Sequence, residues 1–189
     1  MIRASYDDKK TIVDILAKSF DDNQSVNYIV KQDSKRQERI RKLMEYSFDV
    51  CHSFGKVFLS DDKKACALIL LPDKKKTTLA AIWGDIKLIF SSIGIANIKK
   101  AMSREAKIKA LQPKQPIYYL WFIGVSPEDQ GKGIGSTLLK EILAECGFDK
   151  RIVCLETSTL KNIPWYEKFG FTIYNQLDLG YQLFFLKKD

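Results

Sequence analysis

Histidine is nearly missing from this chain of 189 residues: only His52 is present, beside four scattered cysteines, Cys51, Cys66, Cys146 and Cys154. No two cysteines stand at CxxC spacing, and a structural zinc centre needs four closely paired His or Cys ligands, so no metal site is expected. Thiols scattered in this way suit the reduced cysteines of a cytosolic protein. Long apolar runs are missing too. The longest reach about eight residues, against roughly 20 for a membrane-spanning helix. The first residues, MIRASYDDKK, hold no apolar core of signal-peptide length. A cytoplasmic protein without a membrane partner is the expectation. Glycine (10) and proline (5) are sparse, and no repeat, low-complexity tract or linker interrupts the chain, so one domain over 1–189 is expected.

What is present is an ordinary globular composition, 46% hydrophobic and 12% aromatic, with 31 Lys and Arg against 23 Asp and Glu. The net charge of +8 suits an anionic partner: nucleic acid, an acidic surface or a phosphorylated ligand. It does not choose among them.

Hydrophobic periodicity gives the element order. IRAS reads as a short strand, and DDKKTIVDILAKSFDD as a helix with Ile12, Ile15, Leu16 and Phe20 on one face. SKRQERIRKLMEYSFDVCHSFG is a longer helix ended by Gly55. KVFLS and KACALILLP form a hairpin around DDKK. TTLAAIWGDIKLIFSSIG is an amphipathic helix, and the basic stretch from Asn97 to Pro116 a helix running into a loop. IYYLWFIGV, aromatic and β-branched, is a central strand expected to be buried on both faces. STLLKEILAECGF is a helix, RIVCLE a strand, NIPWYEKFG a short helix, and FTIYN and YQLFFLKK the last two strands. The order gives an α/β or α+β fold with at least one right-handed βαβ unit around a glycine-rich stretch.

Inside that unit Gly131, Gly133 and Gly135 alternate with other residues between strand and helix. The P-loop pattern G-x-x-x-x-G-K-[ST] is not met. Gly131 and Gly133 fit G-x-G-x-x-G, and Glu156 could serve as its ribose acid, but position 136 is Ser and too little chain follows for a doubly wound sheet. A tight turn without a ligand would need one glycine. Three of them, with Lys132 and a helix start, describe a cradle of backbone N–H groups for phosphate.

VSPEDQGKGIGSTLL resembles the acyl-CoA loop of the GNAT N-acetyltransferase superfamily, Q/R-x-x-G-x-G/A after a strand, filled by Gln130, Gly131, Lys132, Gly133, Ile134 and Gly135. LETSTLKNIPWYEKFGF resembles the family's second element, a strand, a short helix with Tyr, and the Gly170–Phe171 pair opening the next strand. The resemblance implies a mixed, mostly antiparallel central sheet flanked by helices, with a splayed central parallel pair. It implies transfer of an acetyl group from acetyl-CoA (coenzyme A) to an amine by direct attack in a ternary complex. Backbone groups of Ile123, Gly124 and Val125 would meet the pantetheine amides. Amides of Gly131 to Ser136 would hold the pyrophosphate, and Lys132 would add charge. An N–H near Val125 would stabilise the oxyanion. Tyr166 would assist the departing thiolate, and Glu156 would be the base, unless ordered water does that work or Glu156 caps the next turn. Asn162 would contact the cofactor. The commoner family Asn falls at Thr159 here.

For the acceptor, Phe20, Asp21, Asp22 and Tyr28 cluster at the end of the first helix, where an aromatic beside two carboxylates could attract a small cationic amine. The alternative is that both aspartates merely end the helix in solvent. A small-molecule amine, antibiotic, polyamine and protein amine all remain open as acceptors, and a homodimer is compatible with the sequence. Two rival classes stand beside the enzyme. One is a catalytically silent acyl-CoA sensor. The other is a nucleic-acid-binding module built on the basic stretch 99–114, which lacks stacking aromatics among its cations.

Overall fold

A computed structural model describes residues 1–76, 84, 86, 88–94, 97–149 and 151–189. Strand β1 (Ile2–Arg3) leads to helices α1 (Lys9–Ser19), α2 (Gln24–Ile29) and α3 (Arg36–Phe54). The hairpin β2 (Gly55–Leu59) and β3 (Ala65–Leu70) follows, then α4 (Ile98–Leu111) and β4 (Ile117–Val125). The chain ends with α5 (Ile134–Cys146), β5 (Ile152–Thr157), α6 (Ile163–Glu167), β6 (Thr172–Asp178) and β7 (Gln182–Lys188). The amphipathic helix expected over 77–94 falls largely outside the described residues; Ile89–Ile93 form one π-helical turn. Helix α2 was not legible in the sequence. It is a single short element nucleated by the Asn23 side chain, which accepts from the Val26 N–H.

The strands form one sheet in the order β1-β2-β3-β4-β5-β7-β6, antiparallel except for β4 and β5. One face carries α1 and α3, whose Ile12, Leu16, Met44 and Phe48 pack on Val57, Leu68 and Phe122. The other carries α5 and α6, with Leu139, Ile142 and Tyr166 on Ala67, Leu120 and Leu155. Both helix stripes repeat at three and four residues, which is why each helix buries one side only. No helix among the described residues is long and apolar enough to cross a membrane.

Two irregularities of β4 position the site. Its pairing with β3 runs Leu68 to Phe122 and then Ile69 to Leu120, which leaves Trp121 as the extra residue of a bulge. Trp121 and Phe122 therefore both turn toward the α1 and α3 side. With β5, β4 pairs only at Ile117, Tyr118 and Tyr119; the six residues beyond have no β5 partner. The central parallel pair is thus joined at one end and open at the other. The strand is buried on both faces as expected, Phe122 on one and Tyr118 and Leu120 on the other, but Tyr119, Trp121, Ile123 and Val125 are only half-buried.

Candidate active site

The open side of β4 can be read from its ladder. The Ser126 N–H donates to the Lys64 carbonyl at 2.8 Å. Antiparallel pairs alternate, so Gly124, two residues back, also spends its peptide groups on β3, while those of Ile123 and Val125 turn toward the gap. Gly124 contributes its missing side chain instead: a Cβ there would meet Leu16 Cδ2 at 3.0 Å and the Ser19 hydroxyl at 3.2 Å. The close approach lets α1 reach the gap, where Ser19 Oγ stands 2.7 Å from the Val125 carbonyl. Gln130 Nε2 donates to the same carbonyl at 3.2 Å. That acceptor is therefore engaged by the chain itself, and the Val125 N–H is the donor turned to the gap.

Beyond β4 the chain makes a 3-10 turn, Pro127–Asp129, and then the glycine loop. Gly131 and Gly133 have φ of +78° and +83°, conformations that side chains rarely adopt, and a Cβ at either would meet nothing within 4 Å. Protein packing does not require glycine at these two positions; backbone conformation and free space do. Gly133 is the residue before α5, no side chain caps the helix, and its carbonyl receives the Thr137 N–H. The N–H groups of Ile134, Gly135 and Ser136 are thereby left without intrahelical acceptors. The first turn lies close against β4, since a Cβ on Gly135 would meet Val125 Cγ2 at 3.1 Å. Ser136 Oγ accepts from Trp165 Nε1 at 2.9 Å and ties the loop to α6.

Lys132 is less free than the sequence implied. Its Nζ is 2.8 Å from Asp129 Oδ1, which Lys64 also meets at 3.0 Å. The buried Asp129 carboxyl is held below its usual range by Lys132 and then Lys64. Two ammonium groups share one carboxylate, and Asp62 and Glu128 act on Lys64 as well.

Across the gap, Tyr166 is buried, its ring 4.7 Å from Trp165 and 5.6 Å from Phe171. Burial raises its phenol above the usual value. No described residue hydrogen-bonds its hydroxyl. Asn162 precedes α6 directly and is half-buried, without capping that helix through its side chain.

Glu156 lies on β5 in the stretch that β4 has left. Burial raises its carboxyl to about 7, although Tyr119 and Gln112 bond it and oppose that rise. The Tyr119 hydroxyl donates to Oε2 at 2.5 Å and Gln112 Nε2 to Oε1 at 3.3 Å. Neither partner was found from sequence: Tyr119 comes from the aromatic strand and Gln112 from the end of α4. A titration midpoint near neutrality suits a group that must take a proton at physiological pH.

The expected acceptor cluster does not assemble. Phe20 packs edge-on against Phe122 at 5.1 Å. Asp21 is paired with Arg36 at 2.8 Å, and Asp22 is exposed. Lys100 Nζ stands 3.7 Å above the Tyr28 ring, whose neighbour at 5.2 Å is Tyr181. The carboxylate and the aromatic face meant for an incoming ammonium are both occupied by cations of the protein.

Comparison with known proteins agrees with this geometry. Residues 92–173 match the family model described as acetyltransferase (GNAT) domain. An uncharacterized N-acetyltransferase of Schizosaccharomyces pombe is 42% identical over 59 residues, 31% of this chain and 24% of its own length. The match therefore spans about a quarter of that relative. A Corynebacterium glutamicum structure, described as histone acetyltransferase HPA2 and related acetyltransferase, superposes with a TM-score of 0.75 and 21% identity. It covers 99% of this chain and 93% of the other. Arabidopsis thaliana Naa50, solved with the bisubstrate analogue CoA-Ac-MVNAL, gives a TM-score of 0.53 and 14% identity over 100% of this chain and 96% of its own. At such identities the two structures establish the shared fold.

Proposed function

From the match of residues 92–173 to the GNAT acetyltransferase model and the shared fold, we propose that the chain is an acetyltransferase of that family and moves an acetyl group from acetyl-CoA to an amine, within one domain and by direct attack in a ternary complex. The observation that carries this reading is the gap between β4 and β5. Peptide groups of Ile123 and Val125, the uncapped start of α5, Glu156 and the Tyr166 helix all belong to the elements that bound it. The residues fit the cofactor: a pyrophosphate needs converging N–H donors and open space, and both exist at Gly131 to Ser136. Acetyl-CoA, when bound, supplies the activated acetyl thioester.

The chain supplies the rest. Lys132, largely exposed within the loop, offers its ammonium to the phosphate end in exchange for Asp129. Glu156, whose carboxyl burial raises to about 7, accepts the proton that an ammonium acceptor must lose. The Val125 N–H offers a fixed donor toward developing negative charge. Tyr166 holds its hydroxyl proton for the leaving sulfur, and its raised phenol keeps that proton in place at neutral pH.

Calorimetric titration of acetyl-CoA into the parent and into Gly133→Val tests the reading. The valine would project into the open space at the cradle and disfavour φ near +83°. Affinity is expected to fall more than about tenfold, the change that about 1.4 kcal/mol produces. Equal affinity in a folded variant would remove the loop from the cofactor site.

A further inference from the structure

Arg104 is a partly buried cation that the acetyl-transfer reading leaves without work. It sits on α4, half-buried. Its Nε donates to the Tyr181 hydroxyl at 3.2 Å, and its Nη2 donates to Ser25 Oγ. Tyr181 in turn donates to Ser25 at 3.2 Å, so helix α2 and the turn before β7 clamp one side of the guanidinium. Arg36, Arg39, Arg41 and Arg151 each have a carboxylate oxygen at 2.5–2.8 Å. Arg104 has none within ion-pair distance among the described residues. A guanidinium carries five N–H donors in a rigid fork, and this one has three left, including both on Nη1.

Withdrawing a cation from water without a counter-charge is costly, and a carboxylate that grips two of the remaining donors would relieve that cost. The surroundings carry the same sign. Lys100 stands over Tyr28, whose ring neighbours Tyr181. A neighbouring cavity of about 620 Å³, which Arg104 itself does not line, is bounded by Tyr28 and Lys100 together with Lys31, Arg39 and Asn97. Asp33 offsets only part of that charge, through Lys31 at 3.2 Å and Arg39 at 2.8 Å. The carboxylates that act on Arg104 through space are Glu105, on its exposed side of the helix, and Glu156, the base itself. Eight residues along, at about 1.5 Å each, α4 delivers Gln112 to that same Glu156. The helix thus links the unfilled guanidinium to the place where the amine would lose its proton.

We propose that Arg104 binds a carboxylate of the acceptor, so that the substrate is a small amine bearing a carboxylate, of amino-acid type, rather than a plain alkylamine. The proposal rests on the acetyl-transfer reading and reverses the charge expected from Asp21 and Asp22. The acceptor is selected by its anionic group, and its ammonium is left to Glu156.

Equilibrium binding to the CoA-loaded protein tests this without turnover. The probes are the standard amino acids, each paired with the amine left by removing its carboxylate. The parent is expected to bind at least one amino acid about tenfold or more tighter than its paired amine, the range of a charge-assisted hydrogen-bonded pair. Arg104→Gln should bring that ratio to about one while CoA affinity stays unchanged, and Arg104→Lys, which keeps charge but not the fork, should fall between. Ratios near one throughout in the parent, or no amino acid bound at all, would overturn the proposal even if the Gln variant failed to fold. Acetylation of plain amines with no preference for a carboxylate would leave the acetyl-transfer reading standing and remove only this inference. Absence of turnover on every amine, with the binding preference intact, would do the reverse.

Discussion

Replacing Tyr119 by phenylalanine isolates the control of the base. The phenol donates to Glu156 at 2.5 Å, and that bond favours the ionised carboxylate against the burial that pushes it up to about 7. A hydrogen bond to a charged group contributes about 1.5–3 kcal/mol, and 1.36 kcal/mol corresponds to one pH unit. Full loss would raise the midpoint by about one to two units; water replacing the hydroxyl would return part of it, so about one unit is expected. The sign follows from the bond. Removing a donor to the anion makes the proton harder to lose, so the carboxyl moves toward about 8. Because a base must be unprotonated to act, the Phe variant should lose rate near pH 7 and recover it at higher pH. The assay is kcat/KM for thiol release from acetyl-CoA with a fixed amine, between about pH 5.5 and 9.5. A midpoint that stays put or falls would refute the role, and a uniform loss at every pH would make Tyr119 a packing residue only.

Three further outcomes are expected. Glu156→Gln should abolish the rise of rate with pH. It should also melt higher than the parent at pH 8, because a carboxyl raised in the fold contributes stability below its unfolded value near 4.5 that is lost as pH rises through about 7; the gain is at most about 3 kcal/mol, and equal melting at pH 5 and pH 8 would contradict it. Tyr166→Phe should lower kcat by about 10²-fold or more while acetyl-CoA affinity holds, and parental turnover would leave the ring, packed on Trp165 and Phe171, as its only contribution. Asp21→Asn should leave the amine KM unchanged and cost less than about 1 kcal/mol of stability through the partly exposed Arg36 pair; a raised KM at low salt would restore Asp21 to the acceptor site.

Local pattern carried much of the fold. The helical stripes of α1 and α3, the hairpin turn and the aromatic strand each fix their own element through neighbours a few residues away. The glycine loop was legible for the same reason: positive φ at Gly131 and Gly133 and the open helix start are properties of one short stretch. What escaped was set between distant segments. The bulge at Trp121 depends on register with β3, and the engagement of the Val125 carbonyl depends on Ser19, 106 residues away. Glu156 could be seen as a candidate, but its value near 7 is set by burial in the folded chain, opposed by hydrogen bonds from Tyr119 and Gln112, 37 and 44 residues distant. The contacts of the expected acceptor residues were hidden in the same way, since nothing within SFDDNQSVNYI announces that Arg36 would pair with Asp21 and Lys100 stand over Tyr28.

The most direct test of acetyl transfer to an amine is simultaneous measurement of free CoA thiol and N-acetylated product with the purified protein, acetyl-CoA and a panel of amines that includes amino acids. Thiol and N-acetyl product should appear in equal amounts with the parent, and both should fall together in Glu156→Gln. Tight acetyl-CoA binding with neither thiol nor product from any amine would contradict the account and leave a silent acyl-CoA-binding protein.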